Sequence, residues 1–169
     1  MDRSHLDWPF FADLHRTLAA DLDAWAAIAL TADDHADVDV VCRDRVRALG
    51  AAGWLRYCVP AALGGALVAL DSRALCIARE TLAYHDVLAD FAFAMQGLGS
   101  GAITLAGSDE QQARWLPGLA SGELRGALGE PALVPDGEGA DVLVLVDGEK
   151  GLRLAAAADA RVESVEAID

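Results

Sequence analysis

The sequence contains few aromatic side chains and no paired cysteines. Only 6 % of its 169 residues are aromatic, whereas 54 % are hydrophobic, so a packed core must consist mainly of Ala, Leu and Val. The three cysteines, Cys42, Cys58 and Cys76, are odd in number and widely separated. The absence of a Cys-x-x-Cys pair argues against a disulfide framework and a zinc site. We therefore expect reduced, buried thiols in a cytoplasmic protein.

Positive charge and long apolar runs are scarce as well. The chain has 13 Lys and Arg against 27 Asp and Glu, a formal net charge of −14. Such a surface repels nucleic acid and anionic lipid, so neither is expected as a partner, and we interpret the charge as an aid to solubility. The charge-free residues 91–107 are too short to span a bilayer comfortably. The N-terminus also lacks the basic start and apolar core of a secretion signal.

Hydrophobic periodicity predicts five helices, because apolar residues recur three or four positions apart. Asp7 and Pro9 suggest the entry to the first helix, and Asp71 or Ser72 caps the third. The third helix, apolar on two faces that include Ile77 and Tyr84, is expected to be central. The fourth is expected to be buried. The stripe of the first helix is Phe11, Leu14, Leu18, Leu22, Trp25 and Ala29, and that of the second is Val38, Val41, Cys42, Val46 and Leu49. The third helix has Leu75, Ala78 and Leu82 on one face, and the fourth is apolar over nearly all of residues 87–106. The stripe of the fifth helix is Gln112, Trp115, Leu116 and Leu119.

The fifth helix has the clearest boundary signals. Gly107 is suited to end the fourth helix in a left-handed conformation. Ser108 and Gln111 then form a predicted capping box at the start of the fifth. Pro117 is expected to kink or end this helix, and Gly122 to break the chain after it.

The composition changes towards strands in the last quarter of the chain. Residues 124–130 are predicted to be extended, residues 142–146 form a strong buried strand, and residues 152–156 and 161–165 are weaker candidates. Turns are indicated at residues 135–137 and 147–148, and residues 54–69 are expected to be a buried connection. The predicted fold is mainly α, an up-and-down helical bundle over residues 1–123 followed by a short partial β segment over residues 124–169.

No constellation of residues indicates catalysis or metal binding on its own. The serines Ser72, Ser100 and Ser108 lack a nucleophile-elbow context. The four histidines lack metal spacing and are interpreted as surface or helix-end residues: His5, His15, His35 and His85. Residues 97–102 fit the pattern Gly-x-Gly-x-x-Ala, but they lie within a predicted helix and not after a strand. We interpret Gly97 and Gly101 instead as sites of close helix packing.

Three ordered motifs resemble the acyl-CoA dehydrogenase family. They are the segments GSDEQ at residues 107–111, LPGLASGE at residues 116–123, and GEP at residues 129–131. The family pattern of Val-Pro followed by Gly-Gly also has counterparts in Val59-Pro60 and Gly64-Gly65. The resemblance covers residues 54–131 well and residues 10–53 and 140–169 loosely.

The resemblance implies an FAD-dependent removal of hydrogens from Cα and Cβ of an acyl-CoA thioester, with a carboxylate as base and the flavin as hydride acceptor. By the same resemblance, the backbone of Ala127, Leu128 and Gly129 would approach the flavin. The substrate cavity would be lined by residues of the fourth helix: Met95, Gln96, Leu98 and Gly99. Plain core packing is the alternative for this second group.

The sequence departs from the family pattern in its second half. Gly126 and Gly129 stand where the family has an aromatic residue and a threonine that contact the flavin. The counterpart of Glu130 is mostly structural in the family, and the C-terminal helical bundle that completes the site has no counterpart, so no catalytic residue is assigned. We expect an incomplete flavoprotein dehydrogenase that is not competent alone. The alternatives are a non-catalytic helical partner of a fuller dehydrogenase, in a homo- or hetero-oligomer, and a truncated remnant.

Overall fold

The described residues of the computed structural model form five α-helices and a small sheet. The structure describes residues 2–30, 37–135, 137–148, 151–161 and 163. The helices are α1 (Asp13–Ala29), α2 (Val38–Ala51), α3 (Ser72–His85), α4 (Val87–Ala106) and α5 (Asp109–Ser121). This confirms the predicted fold class. None of the helices in the described ranges is long and apolar enough to cross a membrane.

The helices pack around α4. This helix contacts α2, α3 and α5, while α1 packs on α3. Among the described residues the buried core consists mainly of Leu, Ala and Val, as the composition predicts, and Phe93 is the one buried Phe, Trp or Tyr side chain, with other aromatic rings packed partly buried against it. Burial of α4 is not complete, however, because Phe91, Leu98 and Leu105 are exposed. The prediction of a helix buried all round is therefore wrong on this side.

The first helix begins later than the Asp7–Pro9 signal suggests. Residues Ser4–Asp7 form a 3-10 turn, and α1 starts after Ala12. The Ala12 N–H donates to Nδ1 of His15 at 3.0 Å, so the imidazole satisfies the amide of the residue before the helix, as the third helical residue does in a capping box. With Nδ1 accepting, Nε2 carries the proton and faces Oδ2 of Asp71 at 3.2 Å. His15 is thus a helix-end histidine that is fully buried.

Asp71 links the start of α3 to His15 at the start of α1. It caps α3 by accepting from the Arg73 N–H, and its two carboxylate oxygens accept from the Arg73 side chain at 3.0 and 2.7 Å. The Arg73 guanidinium, with smaller contributions from the Arg73 amide and His15, holds the pKa of Asp71 well below its ordinary value. The carboxylate therefore stays ionised far into the acid range.

A buried ion pair fixes the sharp junction between α3 and α4. Asp86 caps α4, with Oδ1 accepting from the N–H groups of Leu88 and Ala89. Its Oδ2 lies 2.6 Å from Nη2 of Arg45 on α2. Both side chains are largely buried, so this pair fixes the position of three helices relative to one another.

The boundary between α4 and α5 confirms the capping box but corrects two details. Ser108 accepts from the Gln111 N–H, and the Gln111 side chain accepts from the Ser108 N–H at 2.9 Å. Gly107 is extended rather than left-handed, with φ −74°. Pro117 lies inside α5, which continues to Ser121 and ends at Gly122 with φ +74°. Pro117 is exposed on the outer face of α5, where the carbonyl released by the missing N–H can reach water.

Exposure corrects three further predictions. Cys76 is exposed on α3, whereas Cys42 and Cys58 are buried, and burial raises the pKa of Cys58 to about 12. Tyr84 is also exposed, so α3 buries one face and is not central. In the connection over residues 54–69, the 3-10 turn Trp54–Cys58 is packed inside but Val68 is exposed. Residues 31–36 lie outside the described residues, and Asp37 caps α2.

The last quarter of the chain forms a sheet of three strands in its described part. The strands are β1 (Gly126–Gly129), β2 (Val142–Asp147) and β3 (Gly151–Ala156), in the order β1-β2-β3. β1 is parallel to β2, with Gly126 opposite Val142, and β2 is antiparallel to β3. These strands confirm the extended residues 124–130 and the strands at 142–146 and 152–156. The candidate at 161–165 lies largely outside the described residues.

Removing the Asp86 carboxylate at the α3–α4 junction should destabilise the folded chain. We expect Asp86→Ala to lower the free energy of unfolding by about 3 kcal/mol, because it removes a helix cap and leaves the buried Arg45 without this carboxylate. Asp86→Asn should recover about 1 kcal/mol by retaining the cap. The matched control is Asp44→Ala, which breaks the exposed Asp44–Arg47 pair and should cost about 0.5 kcal/mol or less. Urea unfolding measures all three, and equal losses for Asp86→Ala and Asp44→Ala would contradict the assignment.

Candidate functional site

One junction, where α4 contacts β1, brings Gln96 and Gly99 of the predicted substrate group beside the strand that carries the predicted flavin group. The side-chain amide of Gln96 makes the central contacts there. Its Nε2 donates to the carbonyl oxygens of Leu119 at 3.3 Å and Leu124 at 2.9 Å, and its Oε1 accepts from the Gly126 N–H at 2.7 Å. Gln96 is almost completely buried. Because all three partners are backbone groups, the amide binds the end of α5 and the start of β1 to the middle of α4.

Two glycines allow the helix and the strand to approach each other closely. A Cβ atom added at Gly99 would lie 3.1 Å from Cα and C of Gly126. A Cβ atom added at Gly126 would meet the Leu119 side chain at 3.1 Å. Larger side chains at either position would push β1 away from α4 and lengthen the hydrogen bond to Gln96.

The Gly-x-x-x-Gly pair does not make the close contact that the sequence suggests. A Cβ at Gly97 would lie at an ordinary 3.5 Å from Sγ of Cys58, and a Cβ at Gly101 would meet nothing within 4 Å. The close approach occurs between these positions, at Gly99. The Gly-x-Gly-x-x-Ala pattern itself lies inside α4 and not after a strand, as predicted.

The backbone of β1 presents one residue of the predicted flavin-contacting group to its outer edge. Successive strand residues direct their backbone polar groups to alternate sides. The Arg125 carbonyl accepts from the Val142 N–H, while the Gly126 N–H points to Gln96. Ala127 and Gly129 therefore direct their N–H groups towards β2, and Leu128 directs its own N–H away from β2. Ala127 is buried and Leu128 is half-buried.

The absence of side chains at Gly126 and Gly129 leaves no empty space beside either glycine. The space beside Gly126 is filled by Leu119, as described above. A Cβ at Gly129 would lie 2.5 Å from the Leu133 carbonyl oxygen and 2.7 Å from Cα of Val134. The turn after β1, closed by the bridge between Glu130 and Leu133, thus folds back onto Gly129. Glu130 itself is exposed at this turn.

The remaining predicted residues of α4 lie towards solvent. Met95 is half-buried and Leu98 is 47 % exposed, whereas Gly99 is buried against β1. Leu98 belongs to a row of apolar side chains at helical spacing, here called the α4 stripe: Val87, Phe91, Leu98 and Leu105, all exposed. One side of α4 therefore holds the sheet and the other presents an apolar surface.

No cluster of three or more His, Cys, Asp or Glu side chains within the described ranges could hold a metal ion. Sequence analysis missed that Gln96 supports the junction. The available signal was an uncharged polar residue inside an otherwise apolar helix, since such a residue needs buried hydrogen-bond partners.

This arrangement defines a class of protein: a helical bundle whose central helix holds a small sheet. The model of the acyl-CoA dehydrogenase N-terminal domain matches residues 13–123, well over half of the chain. The chain belongs to the acyl-CoA dehydrogenase family. No curated protein sequence matches it.

Two solved structures illustrate the similarity. A crystal structure of an acyl-CoA dehydrogenase complexed with FAD from Bacillus anthracis shares 26 % identity at a TM-score of 0.56, over 82 % of this chain and 25 % of that one. A variant of the Tcur3481-Tcur3483 steroid ACAD shares the fold at 20 % identity and a TM-score of 0.57, over 85 % of this chain and 48 % of that one. The chain thus spans less than half the length of either.

Alanine substitutions in α4 test the close contact. Gly99→Ala should lower the free energy of unfolding by about 1–3 kcal/mol, because the added methyl group meets the backbone of β1. Gly101→Ala, in the same helix, should raise it by about 0.5–1 kcal/mol, because alanine favours the helix and nothing obstructs the methyl group. Thermal or urea unfolding measures both. A stabilising Gly99→Ala would show that the strand does not approach the helix this closely.

Proposed function

We propose that this chain is one part of an FAD-dependent acyl-CoA dehydrogenase and does not turn over substrate alone. The observation that carries the proposal is the division of α4 into a side that anchors β1 and an exposed apolar stripe. An apolar helix face of this kind is suited to packing against further helices. In this reading, residues 1–123 are the helical domain, and residues 124–169 contribute part of the β domain.

The part of the flavin site that we assign to this chain is the outer backbone edge of β1. Of the three candidate residues Ala127, Leu128 and Gly129, Leu128 directs its N–H group away from β2, where it can donate to an acceptor on the flavin ring. The two glycines add no side-chain contacts and their spaces are filled by protein atoms. This fit is too limited to retain FAD, so a partner chain must supply most of the site. When bound, FAD accepts the hydride in such reactions.

The proposed share of the substrate site is the apolar surface at Met95 and Leu98, which can line one wall of an acyl cavity. Gln96 and Gly99 act there by positioning, since the amide of Gln96 is bound to backbone groups and Gly99 sets the distance to β1. No carboxylate of the described residues is proposed as the base. A partner that completes the cavity would therefore also supply this group.

A second candidate function is a non-catalytic helical subunit beside a complete dehydrogenase. The observation that favours it is the loss of side-chain contacts at Gly126 and Gly129, together with a well-formed helical body. Both candidates need a partner, and a cytoplasmic location remains part of both proposals. They differ in whether flavin binds across the junction of this chain with its partner.

Reconstitution tests the primary proposal. The purified chain should be colourless after incubation with FAD and removal of the free flavin by gel filtration. Co-expressed with a chain that carries the middle and C-terminal domains of a family member, it should form a yellow complex with a bound-flavin spectrum. Flavin retained stoichiometrically by the chain alone would contradict the proposal. A colourless chain that associates only with an intact dehydrogenase would favour the second candidate, and no association with either would contradict both.

Charge placed on the α4 stripe should block assembly without unfolding the chain. We expect Leu98→Glu to weaken the complex at least about tenfold, since the carboxylate would be buried without a partner. The matched control is Val40→Glu on α2, because Val40 is 47 % exposed, the same as Leu98, and belongs to neither the stripe nor the sheet. Circular dichroism checks folding, and binding is measured by titration. Equal weakening by both variants would show that the stripe is not the interface.

A further inference from the structure

A separate cavity lies between the N-terminal segment and α3, and its volume is about 480 Å³. This volume is in the range of small-molecule sites. Its lining residues come from residues 5–11 and 72–80, so none belongs to α4, α5 or the sheet. The flavin and substrate sites of the proposed function do not include any of these lining residues.

The walls of the cavity are rich in aromatic surface. Trp8 and Phe10 are 61 % and 60 % exposed, Phe11 is half-buried, and the buried Ile77 forms part of the lining. Phe10 and Phe11 meet edge to face, with ring centroids 5.1 Å apart. Among the few aromatic residues of this protein, three thus converge on one opening. Such surfaces favour flat aromatic groups, which can stack on exposed ring faces.

The charged groups of the cavity favour a cation. Arg73 is already neutralised, because it donates to both carboxylate oxygens of Asp71 and to the Phe10 carbonyl oxygen, and its guanidinium lies over the Phe10 ring. Glu80 is half-exposed, with its carboxylate 3.5 Å from Nε2 of His5. The formal net charge of −14 attracts cations to the surface as a whole. Aromatic faces add cation–π attraction, for which tryptophan is the best partner.

We propose that this cavity binds a small aromatic molecule with an amino group. The aromatic ring stacks on Trp8 and Phe10, and the ammonium group donates to the carboxylate of Glu80. The inference is independent of the proposed function, because it rests on residues outside the α4–β1 junction.

Cys76 provides a direct readout, because its thiol lines the cavity and is exposed, whereas Cys42 and Cys58 are buried. Iodoacetamide should therefore alkylate Cys76 selectively in the full folded chain. We expect tryptamine, as a probe, to slow this alkylation in a saturable manner. The anion indole-3-acetate, which carries the same ring, should not. No protection by tryptamine at millimolar concentration, or equal protection by both compounds, would overturn the proposal.

Substitutions of exposed residues test which side chain binds the ammonium group and which binds the aromatic ring. Glu80→Gln should raise the dissociation constant of tryptamine about tenfold, because it removes a charge-assisted hydrogen bond, and Trp8→Ala should raise it to a similar degree. The matched controls are Glu123→Gln, an exposed carboxylate elsewhere, and Tyr84→Ala, whose side chain is as exposed as that of Trp8. Calorimetric titration measures the constants. Controls that weaken binding as much as the cavity variants would contradict the site.

Discussion

The three hydrogen bonds of the Gln96 side chain are the interaction on which the arrangement of the helical body and the sheet depends. A buried amide must have its donors and acceptor satisfied, since an unpaired polar group inside a protein costs free energy of its own. Here the partners are the backbone groups of Leu119, Leu124 and Gly126, which follow one another at the end of α5 and the start of β1. The amide therefore specifies both where α5 ends and where the sheet begins.

The same constraint separates the two sides of α4. Gln96, Gly99 and Ser100 face inward, and the Ser100 hydroxyl lies 2.6 Å from the Gln96 carbonyl oxygen and 3.1 Å from that of Cys58. Since this side is committed to the strand and to the connection after α2, Leu98 and Leu105 are left exposed. An apolar helix that is central to its own bundle thus still presents a hydrophobic surface.

Charged and polar groups at helix ends fix how the helices meet. Asp86 caps α4 and pairs with Arg45 of α2, while the buried His15 starts α1 and faces Asp71 at the start of α3. Asp86 and His15 thus each bind a backbone amide at a helix end and also contact a side chain of another helix. Local signals alone found Asp71 and Ser108 as caps but placed the start of α1 too early, because an imidazole three residues into a helix is not an ordinary cap.

Sequence alone determined the five helices, the three described strands and the family, because apolar periodicity, the Ser108–Gln111 capping box and the order of the GSDEQ, LPGLASGE and GEP motifs are local features of the chain. Only the tertiary structure decided which glycine makes the close contact, which cysteine is exposed and what Gln96 does. Each of these depends on a group distant in sequence: Gly126 lies opposite Gly99 and not opposite Gly97 or Gly101, and the N-terminal aromatic residues lie beside Cys76. Periodicity identifies the faces of an element, whereas the identity of the neighbour across each face emerges only when the elements pack.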